Sequence, residues 1–181
     1  MNRMFFPALG VAIGTILIPV LNATAQDPAK APTKATYLIT GLHCPPCTRT
    51  VEGSLARIKG IKSVSVNWAT KNAKIEFDES VLPAGKLASA IAGTPHMMGG
   101  GMRYGGWLAL SVPSITDGAS GQKVKDLLGK IDGVTSVAVY PNQHSAAVLF
   151  DGKGSLTSQQ AIEALASEGI EASNFPGTNK K

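Results

Sequence analysis

Apolar residues recur along this chain in two rhythms, and the same succession of rhythms occurs twice. Tyr37-Leu38-Ile39 and Leu108 to Val112 are short runs of strand formers. Val51, Leu55 and Ile58 recur at helical spacing, as do Val124, Leu128 and Ile131, which predicts an amphipathic helix after each run. Gly60 and Gly133 stand where such helices stop. Alternation then takes over. Val64, Val66, Trp68 and Ala73, Ile75, Phe77 predict two half-buried strands joined at Thr70-Lys71-Asn72, and Val137, Val139 and Ala146, Val148, Phe150 repeat them around Pro141-Asn142-Gln143. A second helix follows at about 83–92 and at 158–167, and Ile170 to Phe175 reads as a closing strand.

An offset of 73 residues superposes the two successions. From Val51 to Asp78 no gap is needed, and 10 of the 28 positions are identical, Gly60/Gly133, Val64/Val137 and Phe77/Phe150 among them. The shared positions are those a common core uses, so two copies of one small unit is the economical reading. The order is βαββαβ, which predicts an α+β fold of two tandem ferredoxin-like units, each an antiparallel sheet with two helices on one face. The first copy spans 35–98 and the second 107–175, with a Gly/Met-rich linker at 99–106. Thr94 to Gly106, with five glycines and Pro95, makes a poor fourth strand for the first copy. Trp68 and Trp107 read as core or interface residues.

The ends look different. Arg3, an uncharged stretch from Phe5 to Leu21 and Ala23-Thr24-Ala25 read as a secretory signal over 1–25 cleaved after Ala25; an uncleaved anchor is the alternative. Residues 26–34 read as a flexible leader and 176–181 as a tail. The expected product is periplasmic or secreted, without stable membrane insertion, in a compartment where thiols tend to oxidise.

Composition narrows the function. Of 181 residues, 44% are hydrophobic and 16% charged, which excludes wholesale disorder. The formal charge of +5 is scattered and aromatics are 6%, so no nucleic-acid surface is expected. No serine elbow, phosphate loop or paired carboxylates occur, so the chain is not expected to be an enzyme.

Both cysteines lie in Gly41-Leu42-His43-Cys44-Pro45-Pro46-Cys47, between the first strand and the first helix. Thiolate is a soft ligand and suits Cu(I). A helix N-terminus favours thiolate over thiol, and Pro45 and Pro46 suit a helix start. The offset of 73 carries Cys44 to Asp117 and Cys47 to Ser120, so the second copy lacks the site. His96, Met97, Met98 and Met102 form a second group of soft or borderline donors, which either caps the cysteine site or is a linker packed on the sheet. His43 reads as a solvent-facing or thiol-tuning residue with ligation as the alternative, and His144 as a surface residue.

Strand, Gly-x-x-Cys-x-x-Cys and helix in a βαββαβ unit resembles the heavy-metal-associated domain of copper chaperones, metal-ATPase amino-terminal modules and periplasmic mercury-binding proteins. The resemblance covers residues 35–93 well and 107–175 in fold pattern alone. It implies that Cys44 and Cys47 bind Cu(I), with Hg(II) or Zn(II) bound in some members, and that the partner is another metal-handling protein. Leu42 stands where the family usually has Met. Two other readings remain: a thiol–disulfide oxidoreductase using Cys-Pro-Pro-Cys, and a partner-binding module in which the pair is an inert disulfide.

Overall fold

The computed structural model describes residues 31–176; the expected signal segment, most of the leader and residues 177–181 of the tail lie outside the described residues. The elements run β1 (Thr33–Thr40), α1 (Pro45–Leu55), β2 (Ile61–Asn67), β3 (Asn72–Phe77), α2 (Ala84–Ala92), β4 (Gly105–Ser111), α3 (Gly118–Gly129), β5 (Val134–Tyr140), β6 (Ser145–Phe150), α4 (Ser158–Ala166) and β7 (Ser173–Asn174). This is the α+β order the periodicities predict, with β1 starting at Thr33, inside the segment expected to be leader.

All strands join one antiparallel sheet in the order β2-β3-β1-β4-β6-β5, with β7 also paired to β4. Two ferredoxin-like orders are embedded in it. The run β2-β3-β1-β4 is one, and β5-β6-β4-β7 is the other, so the two units hold β4 in common. On one edge β4 pairs with β1, from Thr40↔Gly105 to Thr36↔Ala109, and on the other it pairs with β6, from Leu108↔Val148 to Ser111↔Ser145. β7 takes what remains of the first edge, Leu110↔Asn174 and Ser111↔Ser173.

Alternation decides which face is covered. Ala35, Tyr37 and Ile39 of β1, Leu108 and Leu110 of β4, and Ala146, Val148 and Phe150 of β6 are buried in one continuous apolar cluster. The helices close that face with Val51 and Leu55 of α1, Leu87 and Ile91 of α2, Val124 and Leu128 of α3, and Ala161 and Leu165 of α4. α2 straddles the join, packing over β4 and against β6. The opposite face carries a groove of about 560 Å³ lined by Leu38, Asn72, Ala109, Ala147, Tyr140 and Phe175 among others. Phe175 is held there by its N–H bond to the Ala109 carbonyl, 3.1 Å.

Trp68 follows β2 and is half-buried, with the Lys71 ammonium over its ring; Trp107 lies half-buried in β4. His144 is exposed at the β5–β6 turn, as expected. Among the described residues no helix is long and apolar enough to cross a membrane.

Candidate metal centre

The loop after β1 is built by its backbone. Gly41 has φ +81°, and a Cβ there would collide with the Arg103 carbonyl, so glycine is required both for the turn and for the close approach of the strand leading into β4. Cys44 is the N-cap of α1 in an extended conformation, with Pro45 and Pro46 at the first two helical positions and Cys47 in the first turn. The prolines have no N–H to leave unsatisfied, and Cys44 makes no side-chain cap. The Cys47 N–H turns back to the Cys44 carbonyl at 3.0 Å. The two sulfurs thus meet at a helix N-terminus without a side-chain cap.

The structure holds Cys44 and Cys47 as a disulfide pair with Cα atoms 5.4 Å apart. Their exposures differ. Cys47 is fully buried among the core residues of α1, whereas Cys44 is partly exposed. Cys44 is therefore the sulfur open to solvent.

Two segments brace this loop, whose own Leu42 is buried, 6% exposed. The Lys71 Nζ, from the β2–β3 turn, donates to the Leu42 carbonyl at 2.9 Å, and Lys71 itself has φ +52°. His96 arrives from the segment after α2. Its Nδ1 accepts from the Met98 N–H at 3.1 Å, so its Nε2 is the protonated nitrogen and donates to the Gly41 carbonyl at 2.9 Å. The His96 ring packs on the buried Tyr104 ring at 4.6 Å and against His43 at 5.6 Å.

The donors suggested by the sequence separate accordingly. His96 is beside the cysteine loop, but both its ring nitrogens hold backbone groups, which makes it a staple. His43 is exposed next to Cys44, with no protein hydrogen bond to its ring among the described residues. Met97, Met98 and Met102 are 57%, 59% and 42% exposed, so they do not pack on the sheet as a plain linker would. Lys71 and Tyr104 were not singled out from the sequence. A lysine in a turn looks like a solvated charge, and only the turn's position at the same end of the sheet as the β1–α1 loop gives it a role.

The Cys-free counterpart shows what the same loop becomes without the cysteines. Asp117 is the N-cap of α3 and accepts from the Ser120 N–H at 2.8 Å, while the Ser120 hydroxyl accepts from the Asp117 N–H at 3.1 Å: a closed capping box stands where the cysteines would be. The bonds from Ser120 hold the Asp117 carboxyl below its ordinary value of 3.8. The brace persists as well. His144 Nδ1 lies 2.7 Å from the Ile115 carbonyl, 73 residues beyond the Lys71–Leu42 pair, and His144 also has a left-handed backbone, φ +47°.

Residues 36–96 match the family described as the heavy-metal-associated domain. That segment of the chain is a heavy-metal-associated domain. Among curated relatives, the copper-transporting ATPase 2 of Mus musculus is 25% identical over 134 residues, 62% of this chain and 9% of the ATPase. The periplasmic component of the mercuric transport protein of Serratia marcescens is 29% identical over 90 residues, 50% of this chain and 87% of that protein. The chain thus spans a small fraction of the transporting ATPases it matches and most of the mercury-transport component. Among solved structures, the water-soluble region of the P-type ATPase CopA from Bacillus subtilis aligns with 82% of this chain and 95% of its own, at 18% identity and a TM-score of 0.39.

Proposed function

We propose that this protein is a periplasmic or secreted carrier of a soft metal ion, in the first place Cu(I), bound through Cys44 and Cys47 and passed to another metal-handling protein. One observation carries the reading. The heavy-metal-associated loop presents two thiols at an uncapped helix N-terminus, one buried and one partly exposed, with Cα atoms 5.4 Å apart. The helix dipole favours the thiolates that a soft ion needs. Among the described residues no group of three or more His, Cys, Asp or Glu is placed to hold a metal. Two thiols suit Cu(I) or Hg(II) better than Zn(II), which takes four protein ligands in structural sites. The relatives named for copper and for mercury agree with that pair of ions.

Transfer is ligand exchange. Metal held by the reduced pair is approached from the Cys44 side, a partner's thiolate bonds to it, and the bond to Cys44 and then that to Cys47 breaks. No electron moves, and the chain acts without catalysing a reaction. The Cys-free unit is proposed to be a structural or partner-recognition copy.

The bonded pair of cysteines favours one second reading, a thiol–disulfide oxidoreductase. A Cu(I) titration of the reduced protein against a competing chelator, run beside a reduction-potential measurement, separates the two. A metal carrier binds one equivalent tightly and has a strongly reducing pair. Cys44→Ser and Cys47→Ser each weaken binding beyond the about 10–100-fold that loss of a supporting residue brings. Unchanged Cu(I) affinity in both variants overturns the assignment, and weak binding with an oxidising potential promotes the redox reading.

A further inference from the structure

We infer that Met97, Met98 and Met102, with His43, form a second soft-metal site that works without the cysteines and loads them; this rests on the soft-metal role proposed above. All the methionines among the described residues fall in this one six-residue stretch, and all three are exposed. Methionine ordinarily fills gaps in a core, so three thioethers left in water need another reason.

The stretch is folded and tethered. The Gly99 N–H bonds to the His96 carbonyl and the Met102 N–H to the Gly99 carbonyl, both at 3.3 Å, giving two successive turns that keep Met97 and Met98 near Met102. No atom lies within 4 Å of where a Cβ would stand at Gly99, Gly100 or Gly101, so the side chains have room to converge. His96 ties the turns to Gly41, three residues before Cys44, and the Arg103 carbonyl also lies against Gly41. Met102 and His96 line a common pocket of about 310 Å³. The His43 imidazole, with no hydrogen bond to its nitrogens among the described residues, stands 5.6 Å from the His96 ring.

The chemistry differs usefully from that of the cysteines. Thioether sulfur is soft and uncharged, carries no proton to lose and forms no disulfide, so the site can take a soft ion whatever the state of Cys44 and Cys47. Passing Cu(I) onward is then downhill once the pair is reduced. The bonds from Cu(I) to thioether and imidazole break, two bonds to thiolate form, two thiol protons go to solvent, and the oxidation state is unchanged.

Ag(I), a redox-inert soft probe, tests this in the full chain carrying Cys44→Ser and Cys47→Ser. With methyl-labelled methionine, one equivalent of Ag(I) is expected to shift the assigned Met97, Met98 and Met102 methyl resonances and the His43 ring signals. Adding Met97→Leu, Met98→Leu and Met102→Leu is expected to weaken Ag(I) binding at least about tenfold, a clear step on the affinity scale. Met98→Leu alone, the mildest change, is expected to give a smaller loss with an unaltered spectrum elsewhere. Unmoved methyl resonances, or equal Ag(I) affinity after the leucine changes, overturn the site. Either result leaves the cysteine reading standing if the reduced parent chain still binds Cu(I) tightly, and that reading fails separately if the two serine changes cost nothing.

Discussion

At the scale of single residues, the contrast between Cys44 and Asp117 says most about the site. Both are N-caps of the first helix of their unit. Asp117 closes its helix with a capping box, and Cys44 leaves its helix open. A good cap contributes about 0.5–2 kcal/mol by satisfying N–H groups of the first turn; at α1, Pro45 and Pro46 have none to satisfy and the Cys47 N–H bonds the Cys44 carbonyl, so the open end costs less there. The Asp117 bonds have a pH signature. Its folded pKa is below 3.8, so the stabilisation is present above the ordinary carboxylate range and lost as pH falls through the lowered value. Asp117→Ala should therefore melt earlier than the parent near neutral pH, and the gap between the two thermal midpoints should close on acidification. The Lys71 and His144 braces allow another test. Lys71→Met removes the bond to the Leu42 carbonyl and should cost about 0.5–1.5 kcal/mol, with faster amide exchange around Leu42, whereas Lys71→His should recover part of it. That both cysteines stand at the start of α1 and none at the start of α3 was legible in the sequence, because the helix periods on either side locate both starts. The braces were not, because they depend on which turns the sheet brings to one end.

At the scale of elements, β4 is the instructive case. Its glycines make the stretch before it look unfit for a strand. The structure gives the reason for one of them. A Cβ on Gly106 would stand 2.7 Å from the Ile91 Cδ1, so glycine is what lets α2 lie close over β4. Sequence periodicity sees the weak strand former and not the helix above it. Gly106→Val should overpack that contact and cost about 1–3 kcal/mol in denaturant unfolding, more than a valine at an exposed strand position. The closing strand read over Ile170 to Phe175 shrinks to Ser173–Asn174 for a related reason. β1 already occupies that edge of β4 up to Ala109, and only Leu110 and Ser111 are left to pair. By contrast, the helices α1 and α3 and the two β-hairpins were legible outright, since their apolar periods are long enough to identify the element and its buried face.

At the scale of the molecule, the shared strand makes the two units interdependent. Neither has a complete sheet without β4, and α2 covers the join. A buried carboxylate reinforces it: Glu79, just after β3, accepts hydrogen bonds from the Ser158 N–H at the start of α4 and from the Thr33 hydroxyl at the start of β1. It also lies close enough to Tyr37, itself fully buried, to raise that phenol's pKa further beyond what burial does. Glu79→Ala leaves the Ser158 N–H without its partner and should cost about 1–3 kcal/mol. Unfolding followed at Trp68 and at Trp107 should give one coincident transition in the parent chain, the mark of a single cooperative unit.

Because β4 runs antiparallel to β1, the turns that follow these two strands leave the sheet at opposite ends. The cysteine loop and the Asp117 loop therefore stand at the two ends of one continuous sheet. Under the carrier role proposed above, a partner that collects metal at the cysteine end would leave the Asp117 end free for a tether.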